Sequence, residues 1–160
     1  GARHPDTRRP PGRVAGCLRE LGRHAAGAER DGEVLDARVV VLGAKHPDTL
    51  WTQGSLAVSL RELGRHEEAA KLHRQVLEAR VVVLGAKHPD TLWTQGSLAV
   101  SLSDLGRHEE AAELQRQVLE ARVEVLGAKH PDTLETKANL AASLDKLGHT
   151  AEAAELKSGE

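Results

Sequence analysis

The sequence predicts an all-α fold, a solenoid of antiparallel helix pairs, and three observations carry that prediction. His-Pro-Asp-Thr recurs at His4, His46, His88 and His130, and Leu-Gly at Leu21, Leu63, Leu105 and Leu147, each at a period of 42 residues. A fixed period in this range marks stacked repeats. The stretch from Gly43 to Leu84 returns from Gly85 to Leu126 with five substitutions. Within each copy, apolar residues follow the 3.6-residue period of a helix in two runs parted by Leu-Gly. The whole chain, 1–160, therefore reads as a single array with repeats at about 4–45 (degenerate), 46–87, 88–129 and 130–160 (truncated). In such an array each unit touches mainly its neighbours, so no single large core is required.

Repeat one departs from the others. Pro10 and Pro11 fall where the first helix (A) of later repeats is continuous. An interior proline costs about 3 kcal/mol or more, so this helix is expected to start late, near Pro11 or Gly12, or to fray. Its second helix (B) carries Gly27 and Gly32, and Arg30 stands where Leu72 and Leu114 stand later. The unit reads as a polar N-terminal cap or as a partly ordered segment.

In repeat two, Pro47 suits a first helical position, because its missing amide would be unpaired there anyway, and Asp48 sits at the positive end of the helix dipole. Leu50, Leu56, Leu60 and Leu63 share one side, and Gly64 supplies a left-handed stop, which places helix A at about 47 to 63. Helix B follows His66 with Glu67 and Glu68 in its first turn. Ala69, Leu72, Val76, Leu77 and Val83 form its expected buried stripe, and Gly85 closes it after residue 84. Repeat three copies this unit. Repeat four keeps helix A but stops near Leu156, and the uncovered apolar face invites end-to-end association or exchange between chains, or marks a fragment of a longer array.

The pattern Leu56-Ala57, Leu60, Leu63-Gly64, Ala69, with small residues where helix A meets helix B, resembles the tetratricopeptide repeat. The period and the His-Pro-Asp opening are similar to the 42-residue subclass found in kinesin light chains and in many bacterial and algal multi-repeat proteins. The resemblance runs from about His4 to Leu156. It implies a right-handed superhelix whose A helices line a concave groove, and a non-catalytic scaffold that binds a protein or peptide partner there.

One step off the core stripe, the groove positions are Trp51, Gly54, Val58 and Arg61 in repeat two, Trp93, Gly96, Val100 and Asp104 in repeat three, and Glu135, Ala138 and Ala142 in repeat four. A glycine inside a helix costs about 0.5 to 1 kcal/mol relative to alanine, so Gly54 and Gly96 point to a close approach, by a partner or by the tryptophan of an adjacent repeat. Trp51 and Trp93 are the only aromatics; they are read either as binding anchors or as rings folded over a neighbouring glycine. The family's groove often carries helix-A asparagines that hold a peptide backbone. This chain has Gly54-Ser55 and Gly96-Ser97 in those places, and only Asn139 matches.

Composition narrows the function classes. Lys plus Arg number 22 against 24 for Asp plus Glu, and there is neither a basic run nor an aromatic stacking surface, which argues against nucleic acid. No apolar run has the length of a membrane span and no signal pattern opens the chain, so a soluble, cytoplasmic protein is expected. The single cysteine, Cys17, excludes an intrachain disulfide and occupies the place of Ser59, Ser101 and Ser143; it reads as structural.

The histidines of the His-Pro-Asp motif read as helix openers, and His24, His66 and His108 are equivalent at the second helix start. Neighbouring equivalents lie roughly 10 Å apart, too far to share one ion, so no metal is expected. His66-Glu67 begins like a zinc-protease motif, but Ala70 stands where its second His belongs. Gly-Ala-Lys lacks the elements of a phosphate loop, and no nucleophile-base pair is present, so neither cofactor nor enzymatic activity is expected. Two readings remain. One is an interaction scaffold; the other is a structural or self-associating array without a dedicated ligand.

Overall fold

The computed structural model describes residues 12–159, with side chains from Glu20 onward. His4, Pro10 and Pro11 lie outside the described residues, as does the side chain of Cys17. Seven helices follow in order: α1 Gly12–Leu42, α2 Pro47–Glu62, α3 His66–Leu84, α4 Pro89–Asp104, α5 His108–Leu126, α6 Pro131–Lys146 and α7 Thr150–Ser158. Each packs on the helix before and after it, and α4 also touches α6. The architecture is an all-α repeat superhelix, as the sequence predicts.

Local chemistry accounts for both ends of the A helices. The Nδ1 of His46, His88 and His130 accepts the amide of Asp48, Asp90 and Asp132, each at 3.1 Å, with Pro in the first turn. The imidazole thus replaces the Ser or Asp more usual at this cap. At the other end the amide of Gly64 reaches Arg61 O and that of Arg65 reaches Leu60 O, both at 2.9 Å. This pair of bonds is a Schellman motif, and the φ of +79° at Gly64 is the left-handed geometry it requires. Gly106 and Gly148 repeat it.

Alanines sit where helices cross: Ala57, Ala69, Ala99, Ala111, Ala141 and Ala153 are all fully buried. One core cluster joins Ala70 of α3 to Leu98, Ala99 and Leu102 of α4, and the next joins Ala112 of α5 to Leu140, Ala141 and Leu144 of α6. Apolar burial therefore runs across repeat boundaries, which is what makes stacking cooperative.

Each boundary carries a polar tie as well. Arg80 Nη1 donates to Asp90 O at 3.2 Å and to Thr94 Oγ1 at 2.7 Å. Arg38 does the same to Asp48 O and Thr52, and Arg122 to Asp132 O and Thr136. The C-terminal part of one B helix is thereby fastened to the N-terminal part of the following A helix. Arg80 is 7% exposed, and burial lowers its pKa against the opposing effect of Asp90.

Two expectations are corrected. Repeat one is not a helical hairpin: α1 runs unbroken through Leu21-Gly22, and Gly22 lacks the positive φ of Gly64, Gly106 and Gly148. Leu21-Gly22-Arg23-His24 matches Leu63-Gly64-Arg65-His66, but Ala25-Ala26-Gly27-Ala28 stands where Glu67-Glu68-Ala69-Ala70 opens α3, and this alanine-rich run stays within α1. Val83 is also outside the core, at 48% exposure. Helix α3 has 19 residues against 16 in α2 and α4, so its last turn, Val81 to Leu84, overhangs its neighbours.

Candidate groove site

Helices α2 and α4 carry the same residues from Pro47 to Leu60 and from Pro89 to Leu102, and the neighbour one repeat on decides what happens to each. Over α2 lies Trp93. Its Cζ3 stands 3.8 Å from the position a Gly54 Cβ would take, and Gly54 is buried. The same ring meets His73 of α3 edge-on, with centroids 6.2 Å apart and planes at 75°. Over α4 the equivalent of Trp93 is Glu135, which is exposed, and nothing lies within 4 Å of a Cβ built on Gly96.

The space left over Gly96 is part of a cavity of about 270 Å³ lined from four helices. Val58 and Arg61 come from α2, Trp93, Gly96, Ser97 and Val100 from α4, Gln115, Val118 and Arg122 from α5, and Glu135, Thr136 and Asn139 from α6. Arg61 is half-buried and pairs with Glu62 at 3.2 Å. Gln115 is 3% exposed, and its Oε1 has no hydrogen-bond partner.

Of the positions read from sequence, the structure brings Val58, Arg61, Trp93, Gly96, Val100 and Glu135 to one cavity. The others go elsewhere. Gly54 is the floor beneath Trp93. Trp51 remains 65% exposed and borders a second hollow with Leu50, Arg80 and Val83. Asp104 lies 3.4 Å from Nδ1 of His66. Ala138 faces a larger hollow of about 640 Å³ with Leu134, Lys137 and Leu156, and Ala142 is simply exposed.

Four residues escape a reading confined to A helices. Gln115, Val118 and Arg122 line the cavity from helix B, and His73, also of a B helix, packs edge-on against Trp93. His73 is fully buried with neither ring nitrogen partnered. Burial first, then the positive charges of Arg61 and Arg80, lowers its pKa to about 4, so it is neutral at physiological pH. The signal for His73 and Gln115 lies in the duplication itself, since His73/Gln115 is one of the five differences between repeats two and three. Among the described residues, no cluster of three or more His, Cys, Asp or Glu side chains could hold a metal ion, and no helix is long and apolar enough to cross a membrane.

A family model described as the tetratricopeptide repeat matches residues 6–80, 56–123 and 90–157. Two solved structures from Podosopora anserina, both described by kinesin light chain-type, nearly identical TPR-like repeats, are similar over most of the chain. One, a substituted form, shows a TM-score of 0.81 at 30% identity, covering 88% of this chain and 67% of that one. The other shows 0.78 at 29% identity, covering 92% and 72%. BtubC (BKLC) from P. vanneervenii shares the fold alone, with a TM-score of 0.78 at 18% identity over 84% of this chain and 54% of that one. No curated protein matches.

Proposed function

Because the chain belongs to the tetratricopeptide repeat family, we propose that it is a non-catalytic scaffold whose concave groove takes a peptide or helix of a partner protein. Repeats of this family generally mediate protein–protein interaction, and the fold itself prescribes no chemistry. The observation that carries the reading is the cavity over Gly96. Residues of repeats two, three and four converge there, and it combines apolar walls from Val58, Val100 and Trp93 with the unpartnered Gln115 and the charges of Arg61 and Glu135. With Ser97, Arg122, Thr136 and Asn139 also on its lining, the cavity offers polar groups to orient a partner beside apolar area to hold it. The array of four repeats, 4–45, 46–87, 88–129 and 130–160, acts as one unit in this reading. Its setting is cytoplasmic, and neither nucleic acid nor membrane is a partner.

Selection from a displayed peptide library tests the proposal. Peptides captured by the native chain should lose binding to Gly96→Leu, which fills the cavity where space is open, and keep it to an exposed substitution on the far side such as Glu113→Gln. Equal binding to both variants would remove the groove from consideration. A self-associating array is the second reading. The large exposed residues Val40, Val41, Val82 and Trp51 favour it.

A further inference from the structure

The chain carries both halves of one contact and closes it only once. Helices α2 and α4 are identical from Pro47 to Leu60 and from Pro89 to Leu102, so Gly54 and Gly96 head identical slots. In the first slot the ring of Trp93 covers Gly54 and stacks edge-on against His73. In the second, Glu135 replaces the tryptophan, the space over Gly96 is open, and Gln115 replaces the histidine. Gln115 Oε1 is buried there without a donor. A buried acceptor left unpaired is costly, so a group that brings an N–H or O–H would stabilise the slot.

The size of the opening limits that group. About 270 Å³ lies below the roughly 300–1,000 Å³ usual for small-molecule sites, and suits one large side chain. Indole matches on both counts, since it is a flat apolar ring with a single N–H donor. The chain holds one such ring in excess. Trp51 stands at the position Trp93 occupies in the next copy, and it is 65% exposed against 46% for Trp93, which rests on Gly54.

We propose that Trp51 of a second copy of this chain inserts over Gly96, with its indole N–H donating to Gln115 Oε1. A two-fold axis makes the exchange mutual, because each copy offers one tryptophan and one slot, and such an isologous contact closes as a dimer. A net charge of −2 sets little repulsion between copies. This pairing rests on reading the groove as a binding surface and names its occupant.

Sedimentation velocity over a micromolar-to-millimolar series tests it with the 160-residue chain and two variants of it. The native protein should show concentration-dependent dimer. Trp51→Ala, at an exposed position that leaves the fold intact by circular dichroism, should weaken association by roughly thirtyfold, the loss typical of a buried aromatic anchor. Glu135→Trp should be monomeric, because it fills the slot from within as Trp93 fills the one over Gly54. A native chain that stays monomeric throughout, or a Glu135→Trp chain that dimerises like the native one, overturns the proposal. Library peptides that still bind a monomeric native chain, and lose binding to Gly96→Leu, would leave the groove standing and remove only the second copy as its occupant.

Discussion

Trp93 lies directly on Gly54, with Cζ3 of the ring 3.8 Å from the point where a Cβ would sit. That distance is ordinary van der Waals contact, so a methyl group fits under the ring, while anything larger must push it aside. The equivalent ring is missing over Gly96.

Alanine should therefore be tolerated at both glycines. Gly54→Ala and Gly96→Ala are each expected to stabilise the chain by about 0.5 to 1 kcal/mol, since an interior glycine loses more backbone entropy on folding. Leucine should separate them: Gly54→Leu displaces Trp93 and destabilises, whereas Gly96→Leu does not. Urea unfolding of the four variants checks the difference, and equal behaviour of the two leucine variants would contradict the covering role of Trp93.

His73 should make stability depend on pH. Its pKa is lowered from 6.5 to about 4 in the folded chain, so between those values the unfolded state binds more protons. Stability then rises with pH through that window and levels off above it. The shift corresponds to about 3 kcal/mol lost between pH 6.5 and 4. His73→Gln, which copies Gln115 of repeat three, should flatten most of this slope in chemical denaturation across pH. A slope unchanged by His73→Gln would assign the acid sensitivity elsewhere.

The arginine ties should differ in weight. Arg80 is the most buried of the three and donates to both Asp90 O and Thr94 Oγ1. Arg80→Ala is expected to destabilise by about 2 to 3 kcal/mol, as for the loss of a charged donor from buried acceptors. Arg38→Ala, whose guanidinium is less buried, should cost less. Thermal unfolding of the two variants orders them, and the reverse order would contradict this assignment.

The turn glycines offer the opposite test to the helical ones. Gly106 has a φ of +78°, so Gly106→Ala places a Cβ in left-handed backbone at a cost of about 1 to 2 kcal/mol. The same substitution at Gly22, which lies inside α1, should stabilise instead. Opposite signs at two positions with identical flanking Leu and Arg would show that packing, not local sequence, decides where the chain turns.

That contrast also marks what sequence reading reaches. The His-Pro-Asp openings and the Gly64, Gly106 and Gly148 stops are legible because their hydrogen bonds close within a few residues. Leu21-Gly22 is the same dipeptide with another outcome: it lies inside α1, followed by Ala25-Ala26 where the later repeats have Glu67-Glu68 and Glu109-Glu110. The groove divides in the same way. Val58, Arg61, Gly96 and Val100 follow from one helix's periodicity, and the structure places them together. Gln115 and Arg122 come from a different helix, so no stripe on helix A could reveal them. Whether Gly54 or Gly96 is covered depends on residue 93 or 135, one full repeat away.

The unbroken α1 also sets up a gradient along a single helix. Gly27 lies against Ser59 and Arg38 against Thr52, so residues 27–42 run beside α2, while α1 continues from Gly27 back to Gly12 for about 20 Å. Isolated helices shorter than about 12 to 15 residues are marginal in water. Amide hydrogens in that outer half should therefore exchange through local opening, orders of magnitude faster than those of residues 30–42. One continuous helix would thus contain two cooperative units, with the seam near Gly27.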